Sequence, residues 1–319
     1  MRQLFSVLGS IFIAFSSFAY ADEYPNQAVK IVVGTSAGSG PDIQSRVVGN
    51  QLGTILKHQF IVENKPGANQ TLAARSVAQS DPDGYTLLFV SSSIAPTPFI
   101  YKNAGYDLLS DLKPVATIGI LDGMFMIVDA KSPFKNVSEF VDYAKKNRTL
   151  YGSPGVGNIL HLATEMFSKK AGISMQHVPY KGAADVMTAL LGGSLQVMFV
   201  TPPSVVGLIE SGRVRALTYT GTEPFPAFPK VPLMKNILPG SEPIGSWAAF
   251  FVPAKTPPDV VVRLNSAIRE ALNVPAVSSI MLRDGYVPDN RGPAETEAFV
   301  RREVAIMEEA VAAAGIKPF

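Results

Sequence analysis

Two short loops of glycine and hydroxyl-bearing residues offer the clearest chemistry in this sequence. The first spans residues 34–42 (GTSAGSGPD) and the second spans residues 151–158 (YGSPGVGN). Each loop follows a predicted β-strand and precedes a predicted helix, so its backbone N–H groups gather at a helix N-terminus, where the helix dipole favours an anion. Two such loops in different parts of the chain predict an anion held between two lobes.

The first loop also fits a catalytic motif. Residues 34–38 match G-x-S-x-G, in which a sharp turn between a strand and a helix presents a serine nucleophile. In hydrolases of this type the serine strand is internal, and the catalytic histidine lies late in the chain. Here Ser36 follows the first predicted strand, and the histidines are His58, His161 and His177. A secreted serine hydrolase using Ser36 is therefore the alternative to a binding protein.

Other site types find less support in the residue spacing. Ile43 and Leu160 stand where a dinucleotide-binding G-x-G-x-x-G loop has its third glycine, and no G-K-[ST] phosphate loop occurs. The isolated histidines fit no H-E-x-x-H pattern, and the chain has no cysteine. The sequence therefore predicts neither a cofactor nor a metal site.

The elements around the two loops alternate between short apolar runs and amphipathic stretches, which is typical of α/β proteins. The pattern predicts strands at residues 29–33, 60–63, 86–90, 124–128, 150–153, 177–180, 196–200, 216–220 and 247–252. It predicts helices at residues 41–56, 138–146, 158–171, 257–272, 275–283 and 293–313, and an alanine-rich helix after residues 64–68 that ends before residues 81–84. Residues 221–243 contain six prolines, which favours a surface connection without sheet.

Polar segments follow four of the predicted strands, at residues 35–42, 91–93, 153–158 and 201–203. Ligands of open α/β sheets bind outside the carboxyl ends of strands, so these segments are expected to converge on one cleft. The strands near residues 124 and 247 bracket a second α/β unit. This predicts one lobe from residues 22–123 plus 248–319, an inserted lobe from residues 124–247, and a hinge where the chain crosses twice.

The N-terminus and the overall composition indicate the compartment. Arg2, an apolar run over residues 4–18 and the A-x-A site at residues 19–21 predict a secretory signal peptide, residues 1–21, cleaved after Ala21. Without cysteine there is no residue to carry a lipid anchor. Lys and Arg number 28 against 26 Asp and Glu, which does not indicate a nucleic-acid partner. We expect an exported monomer without a membrane anchor.

Several short strings in this order along the chain carry a family resemblance. They are VENKPGA at residues 62–68, DGYTLL at 83–88, YGS at 151–153, HVPYKG at 177–182, LLGG at 190–193 and TP at 256–257. From Tyr24 to the C-terminus the sequence resembles the Bug (TctC-like) periplasmic solute-binding proteins. These are the extracytoplasmic receptors of tripartite tricarboxylate transporters.

The resemblance implies a two-lobed periplasmic-binding-protein fold of the Venus flytrap type II. It also implies a small di-, tri- or aromatic carboxylate clasped in the cleft by backbone amides and waters, and delivery of this ligand to the membrane subunits of a transporter. Carried over by position, the first-lobe contacts are Thr35, Ser36, Ala37, Gly38, Ser39, Asp42, Ser91, Ser92 and Ser93. Those of the second lobe are Ser153, Gly155, Val156, Gly157, Asn158, Lys181, Ala183 and Ala184, to which the polar segments add Thr201.

The residue types in these segments predict how the carboxylate is held. No arginine occurs in the four polar segments, and Lys181 is the only basic residue among the predicted contacts. We therefore expect the main donors to be the N–H groups of Gly38, Ser39, Gly155 and Gly157. The family often has an acidic residue where Thr201 stands, so a carboxylate without an amine is the expected ligand.

Overall fold

The computed structural model describes residues 24–241, 243–287, 289–313 and 316–318, so the predicted signal peptide lies outside the described residues. The strands are β1 (Val29–Val33), β2 (Phe60–Asn64), β3 (Thr86–Ser91), β4 (Leu112–Leu121), β5 (Phe125–Asp129), β6 (Leu150–Ser153), β7 (Gln176–Pro179), β8 (Met198–Val200), β9 (Val214–Tyr219), β10 (Ser246–Pro253) and β11 (Tyr286–Val287). The helices are α1 (Gly40–Leu56), α2 (Thr71–Ala78), α3 (Thr97–Ile100), α4 (Val137–Ala144), α5 (Ile159–Ala171), α6 (Ala183–Leu191), α7 (Val206–Glu210), α8 (Met234–Ile237), α9 (Pro258–Asn273), α10 (Pro275–Arg283) and α11 (Pro293–Ala313). Within these described ranges, no helix is both long and apolar enough to cross a membrane.

The predicted strands and helices are confirmed, each with ends within two residues of the expected ones. The sequence pattern missed β4 and β11, and the helices α3, α6, α7 and α8. Strand β4 contains Pro114 and Gly119, residue types that argue against a central strand. It tolerates them because its pairing with β10 shifts register twice, once near Pro114 and once near Gly119.

A six-stranded sheet forms the first lobe, with strand order β11-β4-β10-β3-β1-β2. Strands β1, β2 and β3 are parallel, and the β1–α1–β2 unit places the first glycine loop at the carboxyl end of β1. Strand β10 runs antiparallel to both β3 and β4. The sheet therefore combines strands from both ends of the described chain.

Helices cover both faces of this sheet. Ile31 points to one face and packs with Leu52 of α1 and Leu264 of α9, whereas Val32 points to the other and packs with Val77 of α2 and residues of α11. This alternation is the two-residue period of a strand buried on both sides. Full burial of a side chain such as Leu52 contributes about 2 kcal/mol, so the sheet gives the loops at its edge a rigid base.

The second lobe is built from the strands between β4 and β10. Strands β8-β5-β9 form one sheet and β6-β7 form a parallel pair, which a bridge between Tyr151 and Val197 connects to residues just before β8. Helices α4 to α8 belong to this lobe, and α5 and α6 start at the carboxyl ends of β6 and β7. The predicted α/β class and the two-lobed architecture are confirmed, and the bounds given above for the lobes stay a prediction.

Candidate functional site

A small cavity lies where the loops of the two lobes meet. Its volume is about 50 Å³. Of the predicted contacts, the cavity is lined by Thr35, Ser39, Ser91 and Ser93 from the first lobe. From the second lobe it is lined by Asn158, Lys181, Ala183 and Thr201. The strand-end loops of both lobes therefore converge on one space, as the sequence pattern indicated.

Ten predicted contacts do not line this cavity. They are Ser36, Ala37, Gly38, Asp42 and Ser92 of the first lobe, and Ser153, Gly155, Val156, Gly157 and Ala184 of the second. Several of them support the lining from behind. Ser92 Oγ, for example, lies 2.7 Å from Ser246 Oγ, and Ser246 lines the cavity.

The lobes touch each other around the cavity. The N–H of Gly40 donates to Ser204 Oγ at 2.8 Å, and Asn158 Nδ2 donates to Asn69 Oδ1 at 2.9 Å. A β-carbon on Gly182, the N-cap of α6, would lie 2.1 Å from Ser36 Oγ of the first loop, so only glycine fits there without a shift. The structure thus shows the lobes closed against each other.

Asn69 and Gln70 line the cavity and were missed at the sequence level. Residues Ala68, Asn69 and Gln70 have φ values of 46°, 51° and 72°, a left-handed run that non-glycine residues adopt at a cost of about 1–3 kcal/mol each. The run aims two side chains at the end of β3, because Asn69 Nδ2 donates to Ser93 O and Gln70 Oε1 accepts from Ser91 N. The sequence signal for this conformation was Asn69, two residues after Gly67, since Asn tolerates the left-handed region better than most residues.

The first loop is fixed by Asp42, which lies in the first turn of α1. Its carboxylate accepts from Gly38 N at 2.8 Å, from Arg46 Nε at 3.0 Å and from Asn64 Nδ2 at 2.9 Å. Burial raises the pKa of this carboxyl, but the hydrogen bonds from Arg46, Gly38 and Asn64 outweigh it and hold the pKa below its usual value. Asp42 is therefore a charged support of the loop, with its partners outside the cavity.

The second loop repeats this arrangement with different chemistry. Asn158 is the N-cap of α5 and accepts from Leu160 N at 2.9 Å. His161, in the first turn of α5, accepts from Gly157 N through Nδ1 at 2.9 Å. In both loops, then, the third helical residue reaches back to the glycine amide before the N-cap, a relative of the capping box shifted by one residue.

These contacts change the expected set of ligand donors. The N–H groups of Gly38 and Gly157 are bonded to Asp42 and His161, and those of Ser39 and Gly155 reach Ser36 O and Ser153 Oγ. All four amides expected to bind the carboxylate therefore have partners inside their own lobe. The start of α6 differs, because its N-cap Gly182 offers no side-chain cap to the first-turn amides. These amides lie beside Lys181.

Charge in the cavity is one-sided. Within the described part of the chain, Lys181 is the only residue of the lining with a charged side chain. The other polar groups of the lining are hydroxyls and amides, among them Ser204 and Ser246. Asp185, one turn into α6, is exposed and does not line the cavity. The site therefore offers donors and one positive charge, which suits a small anion.

Two of the histidines bond to the second loop and not to Ser36 of the nucleophile motif. Among the described residues, no hydrogen bond joins Ser36 Oγ to a histidine, because His161 bonds Gly157 and His177 bonds Ser153. The Ser153–His177 pair, with Oγ and Nε2 2.7 Å apart, has the atoms of a nucleophile and base, but Ser153 is fully buried. The described residues also contain no group of three or more His, Cys, Asp or Glu placed to hold a metal ion.

Comparisons with known proteins agree with this architecture. The sequence profile of the tripartite tricarboxylate transporter family receptor (TctC) matches residues 44–316. A UPF0065 protein from the gbd 5' region of Cupriavidus necator is 34% identical over 301 residues, covering 91% of this chain and 90% of that protein. The family and its structural neighbours are solute-binding proteins.

Two solved structures superpose closely on the chain. The periplasmic binding protein BugD has a TM-score of 0.88 at 29% identity, covering 93% of this chain and 100% of that one. Rpa4515 of R. palustris, solved with adipate, has a TM-score of 0.88 at 27% identity with the same coverage. The chain belongs to the TctC family of tripartite tricarboxylate transporter receptors, the Bug-type periplasmic solute-binding proteins.

Proposed function

We propose that this protein is a periplasmic receptor that captures a small organic carboxylate between its lobes and delivers it to the membrane subunits of a tripartite tricarboxylate transporter. The observation that carries the proposal is the cavity itself, in which loops from both lobes surround a space whose lining carries one charge, the ammonium of Lys181. The adipate-bound relative supports a carboxylate as the ligand class.

The proposed contacts are the predicted residues that line the cavity, together with Asn69, Gln70, Ser204 and Ser246. Hydroxyl and amide donors and the uncapped start of α6 can share the carboxylate oxygens, as anions at helix N-termini commonly are held. The remaining predicted contacts act by supporting the loops. In this role Asp42 and Gly157 set the path of the backbone without touching the ligand.

The proposal includes the route of the protein and the movement of its lobes. Residues 1–21 direct export and are cleaved after Ala21, and the mature receptor acts as a monomer. Residues 22–123 and 248–319 move as one lobe against residues 124–247, with a hinge at the two crossings. Opening admits the carboxylate, and closing forms the contacts between lobes seen in the structure.

Calorimetric titration of the mature protein with adipate and succinate tests the binding step. A ligand that binds only the native state raises its stability by about 2.7 kcal/mol at a hundred times its Kd, so a thermal-shift screen of further carboxylates extends the test. Lys181→Met should weaken binding about tenfold and reduce its salt dependence. Lys131→Met, which removes an exposed charge elsewhere on the second lobe, is the matched control.

The same titrations contain the outcomes that oppose the proposal. If the Lys181→Met and Lys131→Met variants bound the ligand with equal affinity, the ammonium of Lys181 would not contribute to binding, which contradicts the proposed site. Hydrolysis of a generic ester by the wild-type protein, lost in Ser36→Ala, would contradict the receptor and support the hydrolase. Delivery is tested separately, by uptake of labelled ligand in cells with and without the receptor.

A further inference from the structure

Two imidazole rings lie directly behind the second loop. His161 of α5 and His177 of β7 stack with ring centroids 4.1 Å apart and planes 18° apart, and Tyr151 of β6 stacks on His177 at 5.0 Å. His161 is buried, with 7% of its surface exposed. Neither histidine lines the cavity, yet both hydrogen-bond to residues of the loop from Ser153 to Asn158.

The bond of His161 requires a neutral ring. Gly157 N–H donates to Nδ1, so this nitrogen carries no proton and the ring proton lies on Nε2, which faces Glu165 Oε1 at 3.9 Å. An imidazolium has a proton on both nitrogens and accepts from nothing. Protonation would therefore turn the Gly157 contact into two donors facing each other in a buried place.

The bond of His177 has no such requirement. Ser153 Oγ lies 3.0 Å from Gly155 O and 2.7 Å from His177 Nε2, so the hydroxyl can donate to Gly155 O while His177 Nε2–H donates to Oγ, and neither contact requires an unprotonated ring nitrogen. This arrangement is compatible with either protonation state of the ring. Of the two histidines, His161 is thus the one whose charge decides the position of the loop.

Gly157 is also the place where the loop meets the first lobe. Its φ is +74°, and a β-carbon there would lie 1.9 Å from Ile100 Cδ1 of α3. The next residue, Asn158, makes the hydrogen bond to Asn69 across the cavity. A shift of Gly157 therefore moves the contact surface between the lobes and one lining residue of the cavity together.

We propose that His161 is a positioning residue of the ligand site: its neutral ring holds Gly157, and its protonation releases the second loop and weakens ligand binding. The proposal rests on the proposed function, because it assumes that the ligand binds in the cavity beside Asn158. It gives the two lobes different behaviour, since Asp42 performs the same task in the first lobe as a stable carboxylate.

The charged and titratable groups around His161 set the direction of the effect. Glu165 on α5 favours the cation, Tyr151 on β6 donates a hydrogen bond to Glu165, and His177 on β7 disfavours a second positive charge. Strand β8, which packs on α5, has no titratable residue. Burial lowers the pKa of His161 although Glu165 raises it, and burial followed by His161 lowers the pKa of His177 to about 4. The affinity for the ligand is therefore highest at neutral pH, where His161 is uncharged, and it falls as the pH falls.

The test uses three forms of the mature protein and adipate as the probe. His161→Asn places an amide oxygen near the position of Nδ1 and does not titrate, whereas His161→Leu has no acceptor. Calorimetry between about pH 5 and pH 8 should show wild-type affinity falling about tenfold toward low pH. His161→Asn should bind adipate within about threefold of wild type at pH 8, and its affinity should not change with pH. His58→Asn is the control and should keep the pH dependence of the wild type.

His161→Leu should bind about tenfold more weakly than wild type at pH 8. The titration of adipate itself is common to all forms, so it cancels in the comparison. Identical affinities and parallel pH profiles in wild type, His161→Asn and His161→Leu would overturn the proposal. His161→Asn keeps the test decisive if the leucine variant fails to fold.

A ligand-free measurement separates this proposal from the proposed function. In ¹⁵N spectra of the wild-type protein without ligand, the Gly157 amide should shift together with the titration of His161, and Nδ1 should have the shift of an unprotonated acceptor. If the Gly157 amide shift does not change while His161 titrates, the positioning role is overturned, whether or not the protein binds a carboxylate. A coupled amide in a protein that binds no carboxylate supports the role of His161 and overturns the proposed function.

Discussion

Gly182, the N-cap of α6, packs closely against the first loop. Its φ of −166° is accessible to any residue, so the backbone conformation does not require glycine. Space does require it, because a β-carbon there would lie 2.1 Å from Ser36 Oγ of the other lobe. We expect Gly182→Ala to weaken carboxylate binding about tenfold, because overpacking costs about 1–3 kcal/mol and here it opposes closure. The free energy of unfolding should change little, since opening relieves the contact.

Calorimetry and urea unfolding measure the two quantities. Gly207→Ala is the matched control, because a β-carbon at Gly207 meets nothing within 4 Å. A double variant that also carries Ser36→Gly should regain most of the lost affinity, as expected for two residues in direct contact. If Gly182→Ala binds like the control, the closed arrangement does not describe the liganded receptor.

At the residue scale the sequence predicted the polar lining better than the hydrogen bonds. Thr201, Ser91 and Ser93 lie in polar segments at strand ends, where the sequence pattern predicted them, whereas Lys181 came from the family resemblance. The N–H groups of the loops are bonded by side chains four residues later in the sequence. Asp42 accepts from Gly38 N, and His161 accepts from Gly157 N. A polar residue four positions after a glycine occurs in many structural contexts, so the spacing alone does not predict this hydrogen bond.

At the scale of elements, the N-terminus of α5 combines two tasks in one residue. Asn158 Oδ1 caps the helix through Leu160 N, and Asn158 Nδ2 reaches Asn69 in the other lobe. We expect Asn158→Ala to lower the free energy of unfolding by about 1 kcal/mol, because the cap is lost. Asn158→Ser should restore most of this stability, since serine caps a helix well but its hydroxyl is too short to reach Asn69.

Both variants should bind the ligand several-fold more weakly, because both lose the bond across the cavity. Urea unfolding without ligand and calorimetry with adipate separate the cap from the bond between lobes. Asn136, the N-cap of α4, accepts from Glu139 N away from the cavity, so Asn136→Ala serves as a control with a cap effect only. Wild-type affinity in Asn158→Ser would show that the Asn69 contact plays no part in binding.

The elements themselves were predictable where apolar periodicity is regular. Strand β1 and helix α1 follow from the period of two and the period near 3.6 in adjacent segments. Strand β4 was not predictable in this way, since Pro114 and Gly119 interrupt its pattern and it is stabilised by pairing with β10 and β11. Both partner strands lie more than a hundred residues away, and the sequence pattern carries no information on these pairings.

At the scale of the whole molecule, the contacts that close the cavity join distant parts of the chain. Gly40 and Ser204 are 164 residues apart, and Asn69 and Asn158 are 89 apart. Such pairs depend on how two complete lobes pack, which local patterns do not encode. The sequence therefore predicted that loops of the two lobes face each other, but it did not predict which side chains meet.

The charge of the whole cleft predicts the class of ligand. An amino acid brings an ammonium group, and a buried ammonium without an acceptor or a counter-charge is costly. The described lining contains no carboxylate, because Asp42 is bonded to Gly38, Arg46 and Asn64, and Asp185 is exposed outside the cavity. Lys181 would in addition repel the ammonium. The cleft therefore suits a carboxylate that carries no amine.

We expect succinate to bind more tightly than aspartate, glutarate more tightly than glutamate, and adipate more tightly than 2-aminoadipate. Each pair differs only by the amine, so chain length and carboxylate number cancel. The difference should be at least about tenfold, since leaving a charged group unpaired costs about 1–3 kcal/mol or more. Direct calorimetric titration of the six compounds measures it. Tighter binding of the amine in every pair would contradict this assignment, and Asp42→Asn and Asp185→Asn would then identify which carboxylate meets the ammonium.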